Sequence, residues 1–195
     1  ITGAAWVLVA GWLIRHGVER WATISRVVRL VVGVLALWLT WLAMYQAKVM
    51  GVNFLLSVLF LVWMADIAAY FSGRAFGRRK LAPAISPGKS WEGVWGGMVG
   101  VLLMACVWIW VDAHYAVDGA SLYTRLYGRG VPFLLLAVLF LTLMSVVGDL
   151  VESLVKRSAG MKDSSQLLPG HGGVLDRVDA LLPALPLAMM LAQSV

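Results

Sequence analysis

Cysteine is nearly absent. Cys106 is the only one, inside an apolar run, so no intrachain disulfide or multi-cysteine metal site can be built; it is read as a small packing residue. Charge is scarce as well. Charged residues are 13% of the 195, hydrophobic ones 61%, and a mean hydropathy of +0.85 leaves too little polar surface to cover a soluble domain. Alternating strands of the barrel type, internal repeats and low-complexity stretches are missing. Acids are the minority among the charges, 10 against 16 lysines and arginines. Because the cations lie in loops between apolar runs, orientation in a membrane and anionic headgroups or phosphates account for them, and nucleic-acid binding is not expected. The chain opens at Ile1 and stops at Val195, both inside apolar runs. It is read as a fragment of one membrane-embedded domain covering 1–195, truncated at both ends and without a secretory signal.

What is present is a series of apolar runs near the roughly 20 residues a helix needs to cross hydrocarbon, where closed helices satisfy their own backbone groups. The expected fold is therefore an all-α, polytopic transmembrane bundle of five to six spans. Residues 4–14 read as the tail of a cut helix, and spans are predicted over 30–47, 54–71, 91–111 and 131–150. A further helix from Ala180 is interrupted by Pro183 and Pro186. Arg15, Arg20, Arg26 and Arg29 precede the first full span, and Arg74, Arg78, Arg79, Lys80 and Lys89 follow the second, which puts both stretches on the cytoplasmic face together with 148–179. The loop 112–130 offsets Arg125 and Arg129 with Asp112 and Asp118, as suits the opposite side. Trp12, Trp21, Trp91 and Trp110 sit near predicted span ends as an interfacial belt would. Gly93 with Gly97 and Gly96 with Gly100 form small-x-x-x-small patterns that let helices approach closely.

The chemistry is expected in 148–179, which gathers most of the acids. An Asp inside a span costs about 2.5–3.5 kcal/mol at its centre, so Asp66 and Asp149 need a reason to be there. At helical spacing Asp66, Tyr70 and Gly73 share one face, and Asp149, Glu152, Ser153 and Lys156 form one stripe. A structural ion pair with Lys156 explains Asp149 and Glu152 as well as catalysis does. Asp176 and Asp179 shift the balance, because a glycine turn could bring them back towards Asp149, and such hard oxygen donors suit Mg²⁺. Lys156, Arg157, Lys162 and Arg177 are the complement for a polyphosphate. Gly172 and Gly173 could let backbone amides approach phosphate, although a glycine cluster more often marks a tight turn. His171 could donate a hydrogen bond, but a hydrolytic triad with Ser153 and Asp176 has only residue types in its favour. The Gly88-Lys89-Ser90 run is rejected as a phosphate loop, since Pro83 holds the first glycine position and no strand is predicted before it. The same segment, with its prolines, hydroxyls and Glu92, suits either an interfacial connector or a cover for an anionic headgroup.

Taken together, Ser153, Lys156-Arg157, Lys162-Asp163, His171-Gly172-Gly173, Asp176-Arg177 and Asp179 resemble the long signature of the phosphatidate cytidylyltransferase (CDP-diacylglycerol synthase) family. Asp66 and Tyr70, with Ser86-Pro87, Lys89 and Ser90-Trp91-Glu92-Gly93, resemble its second block. The resemblance implies cytidylyl transfer from CTP to phosphatidate with Mg²⁺, at the cytoplasmic face of a bacterial inner membrane. In that frame Asp149, Glu152, Asp176 and Asp179 would hold the metal, with room for a second cation. Lys156, Arg157, Lys162, Asp163, His171 and Arg177 would act on the phosphates. Asp66, Tyr70, Ser86, Lys89, Ser90, Glu92, Ser153, Gly172 and Gly173 would line the substrates. A homodimer stays open. Competing readings are a CTP-dependent polyprenol or phytol-type kinase, a transporter using the intramembrane carboxylates, and a non-catalytic scaffold.

Overall fold

The computed structural model describes residues 6, 7, 11, 21, 23–167 and 172–193. The predicted tail at 4–14 lies almost wholly outside them, as do Trp12, Arg15, Arg20 and His171. Helix α1, Arg26–Met50, starts where the Ser25 hydroxyl accepts the Val28 N–H at 3.3 Å. It ends at Gly51, whose φ of +134° makes it the entire turn into α2, Val52–Phe76. Nothing within α2's own first turn caps it. The carboxylate of Asp118, far along the chain, accepts the N–H groups of Val52 and Asn53 at 2.5 and 2.9 Å.

After α2 the chain makes an antiparallel hairpin, β1 (Lys80–Ala82) and β2 (Ser86–Ser90), with Lys80 opposite Ser90 and Ala82 opposite Ser86. The connector reading of this segment thus acquires a defined shape, and a short strand does carry Gly88-Lys89-Ser90. Ser90 then caps α3, Trp91–His114, by accepting the Gly93 N–H at 3.2 Å. A short helix α4, Leu122–Tyr127, sits inside the loop expected at 112–130. Helix α5, Val131–Ser158, runs 28 residues and carries Asp149, Glu152 and Lys156 in its last turns. A 3-10 turn at Leu175–Arg177 leads to α6, Leu181–Gln193.

Four helices, α1, α2, α3 and α5, are long and apolar enough to cross a membrane, and α6 is a shorter apolar helix. Among the described residues the span count is thus four, α6 being the shorter fifth apolar helix, while the tail counted in the expected five to six lies outside them. The bundle buries Phe54, Leu61, Val101, Leu126, Leu141 and Leu185 in one core while Trp38, Trp41, Leu103 and Leu136 point outward. A chain with apolar faces inside and out is an integral membrane protein. Cys106 is on the outward side of α3 rather than in the packing, since Val101 and Ala105 take the inward side at its level. Trp91 and Trp110 are exposed near α3's ends, whereas Trp21 is half-buried and packs on Val151.

Glycine decides two close approaches. A Cβ on Gly97 would lie 3.0 Å from the Ala65 carbonyl, and one on Gly100 2.5 Å from the Ala68 methyl, so α3 lies backbone against α2. A Cβ on Gly148 would come 2.8 Å from the Pro183 ring and 2.9 Å from the Asp179 carbonyl. Its absence brings the start of α6, and with it Asp179, against α5 beside Asp149.

Candidate active site

The α2 stripe read from the sequence lines a cavity of about 470 Å³, walled by Asp66, Ala69, Tyr70, Gly73 and Arg74 of α2, by Ser86, Gly88, Lys89 and Ser90 of the hairpin, by the start of α3, and by Val146 and Asp149 of α5. Lys89 reaches across it to Asp149 at 2.5 Å. The Asp149 carboxylate also accepts the Ser153 hydroxyl at 3.2 Å. Asp149 therefore pairs with the hairpin lysine, not with Lys156 on its own helix. Asp179 is buried, at 9% exposure, just behind this pair. Burial first, then the charge of Asp149 and that of Asp66, pushes its carboxyl up to about 7, against the opposing pull of the Ala180 N–H and Lys89. Asp66, Asp149, Asp179 and Lys89 thus form one electrostatic group.

Glu152, Lys156 and Asp176 form a second. Lys156 bridges Glu152 at 2.5 Å and Asp176 at 2.6 Å, while Glu152 Oε1 is buried without a hydrogen-bond partner. Asp176 also accepts the Ser164 N–H at 3.0 Å, the Ser164 hydroxyl at 2.9 Å and the Gly173 N–H at 2.7 Å. Although burial works against ionisation, Lys156 and these N–H donors hold its carboxyl far below the usual carboxylate range. Gly172 has φ +79° and a Cβ there would stand 2.8 Å from Asp176 Oδ2, so glycine is required on both counts. In this structure the Gly173 amide approaches the Asp176 carboxylate, where the sequence suggested a phosphate.

The remaining predicted residues separate by role. Arg157 donates to the Ile85 carbonyl at 3.4 Å and ties α5 to the hairpin. Glu92 accepts the Arg79 N–H at 3.2 Å and holds the hairpin's entry. Ser90 is buried as the cap of α3, with its side chain also at the cavity wall. Lys162, Asp163 and Arg177 are exposed on the signature segment. Ser153 donates its hydroxyl to Asp149, while Asp176 is taken by Lys156, Ser164 and Gly173. His171 lies outside the described residues. Among the described residues no three His, Cys, Asp or Glu side chains converge at metal-ligand spacing. Sequence reasoning counted Arg74 only as a loop cation, yet it lines the cavity; its spacing of four from Tyr70 and eight from Asp66 was the available signal.

A membrane-embedded helical bundle with a mixed-charge cavity at one end is the class these observations define. The cytidylyltransferase family model matches residues 1–195, and the chain belongs to that family. Among similar proteins, the phosphatidate cytidylyltransferase of Haemophilus influenzae is 52% identical over 136 residues, covering 70% of this chain and 44% of the relative. That of Pseudomonas aeruginosa is 47% identical over 160 residues, 81% of this chain and 55% of the relative. The Brucella melitensis protein of the same name is 51% identical over 127 residues, 63% of this chain and 40% of the relative. The aligned stretch is thus about half the length of these relatives.

Proposed function

We propose that the protein transfers the cytidylyl group of CTP to phosphatidate, giving CDP-diacylglycerol and pyrophosphate. The observation that carries this reading is the cavity, in which Lys89 and Asp149 meet beside Asp66 and Asp179 at the polar end of an apolar bundle. Paired charge of both signs suits two phosphate-bearing substrates, one dissolved and one held in the bilayer, and the names of the relatives supply which two. The lipid phosphate oxygen, already anionic near neutral pH, attacks the α-phosphorus of CTP in line. The new P–O bond forms as the bond to the bridging oxygen of the β-phosphate breaks, and pyrophosphate leaves with that electron pair. Such a step needs positioning and charge neutralisation more than a base.

A divalent cation fits the donor set. Asp66, Asp149 and Asp179 are hard oxygen donors that repel one another, with Lys89 as their shared cation. With no three ligands converging among the described residues, Mg²⁺ would be held by one or two protein carboxylates, Asp149 first. When bound there it supplies positive charge against the triphosphate. Lys89 orients Asp149 and presents its own charge to the phosphates. Glu152, Lys156 and Asp176 hold the signature segment beside the cavity, since Asp176 is already committed to four donor groups. The same reading places the cavity on the cytoplasmic face of a bacterial inner membrane, because its end of the bundle carries Arg74, Arg78, Arg79, Lys80 and Lys89.

Asp149→Asn is expected to lower Mg²⁺-dependent formation of CDP-lipid and pyrophosphate by about a hundredfold or more while the protein elutes unchanged in detergent. Near-normal turnover would remove Asp149 from the assignment. Label from the γ-phosphate of CTP appearing in the lipid would replace transfer by kinase chemistry, and solute flux without CTP consumption would replace both by transport.

A further inference from the structure

Among the described residues, two cations line the cavity, Lys89 and Arg74. Lys89 is occupied by Asp149. Arg74 has no carboxylate partner among the described residues; its one hydrogen bond there is from Nη1 to the Tyr70 hydroxyl at 3.2 Å. That bond steers the guanidinium from within α2 and leaves most of its five N–H donors free for an incoming anion.

The position of the pair on α2 says which anion. Asp66, Ala69, Tyr70 and Gly73 line the cavity, whereas Ile67, Tyr70, Phe71 and Arg74 run at i, i+3, i+4 and i+7 along the adjoining stripe. Ile67, Tyr70 and Phe71 are 53%, 59% and 64% exposed, forming an apolar outer stripe in a helix that crosses the membrane. Tyr70 and Arg74 therefore belong to both surfaces. They stand on the edge over which a molecule with its tails in the bilayer must pass to bring a phosphate inside. From Asp66 to Arg74 the helix rises about 12 Å, so the guanidinium lies at the rim and the carboxylate deeper in.

We infer that Arg74, oriented by Tyr70, receives the phosphate monoester of the lipid substrate at the lateral edge of the cavity and sets the specificity for a charged headgroup. This rests on the cytidylyl-transfer reading and goes beyond it by assigning one substrate to one side. A guanidinium presents paired donors matching two phosphate oxygens, which a diacylglycerol hydroxyl cannot engage.

The test is steady-state kinetics of the purified protein in mixed micelles, with phosphatidate mole fraction and CTP varied independently. For Arg74→Gln the KM for phosphatidate should rise about tenfold or more, the KM for CTP should stay within about twofold, and turnover at saturating lipid should be largely kept. Arg74→Lys should recover part of the loss, and Tyr70→Phe should move the lipid KM in the same direction by less. Binding of phosphatidate to vesicle-reconstituted protein without CTP gives an independent readout: Arg74→Gln should weaken it, and diacylglycerol should not compete. An unchanged lipid KM and unchanged lipid binding in Arg74→Gln, or equal rises for both substrates, overturns the inference. Absence of CDP-lipid formation by the unsubstituted protein overturns instead the functional reading beneath it.

Discussion

One carboxylate, that of Asp176, gathers the Lys156 ammonium, the Ser164 N–H and hydroxyl, and the Gly173 N–H around two oxygens. A chain this apolar has few polar groups to spare, and concentrating several donors on one acid fixes a segment that has little core of its own. Asp176→Ala releases all of them at once. The expected result is new protease cleavage near Ser164 and Gly173, with a loss of about 1–3 kcal/mol in stability, whereas Asp149→Asn should lose turnover without new cleavage. Limited proteolysis beside thermal unfolding in detergent separates the two. The stripe Asp149, Glu152, Ser153, Lys156 was legible from helical spacing. Its division was not, because the residue that takes Asp149 comes from the hairpin, far back along the chain, and no local pattern links them.

At the scale of elements, hydropathy located the spans because lipid demands closed helices of a set length. It understated their ends: α2 continues to Phe76 and α5 to Ser158, past the polar residues where an apolar window stops. The hairpin went unseen because strands of three and five residues rich in Pro, Gly and Lys have no readable alternation. Pro186 was expected to interrupt its helix, yet α6 continues through it. Proline removes the N–H that the Leu182 carbonyl would receive, and the Thr40 hydroxyl of α1, shared with the Ala36 carbonyl at 2.8 Å, reaches that carbonyl at 3.2 Å. The α2–α3 contact was legible as glycine spacing and can be tested as a pair. Gly100→Ala sets a methyl against that of Ala68 and should cost about 1–3 kcal/mol. Adding Ala68→Gly should restore much of the loss, a non-additivity measurable by a double-mutant cycle on thermal stability. Strictly additive effects would show that the helices do not meet there.

For the whole molecule, the two ends of the bundle use polarity in opposite ways. One end holds the open cavity with its mixed charges. At the other, polar groups close on each other: Asn53 binds Asp112 at 2.9 Å, the Gly119 carbonyl at 2.7 Å and the Trp108 indole at 3.0 Å, while Asp112 also accepts the Ser121 N–H and the Thr124 hydroxyl. Asp118 completes this end by capping α2, and the N–H groups of Asn53 and Val52 hold its carboxyl below the usual range. A depressed value means that its stabilising effect is full above the unfolded-state pKa of about 3.9 and is lost as pH falls through the lower folded value. Asp118→Asn should therefore be less stable than the parent near neutral pH, with the difference shrinking in strong acid. Thermal unfolding of both proteins from about pH 7 down to about pH 1.5 checks this, and a pH-independent gap over the whole range would point to a cause other than the charge.

The closed end has a consequence for how the protein is made. Its partners all lie between Gly51 and Thr124, so this knot, the glycine contact of α2 with α3 and the hairpin between them can assemble once that stretch has been synthesised. The Lys89–Asp149 pair, the far cavity wall and the signature segment must wait for α5 and the residues beyond it. Within the bilayer, a half-cavity with Asp66, Arg74 and Lys89 in place can thus precede α5, which brings the missing acid to a lysine already waiting for it.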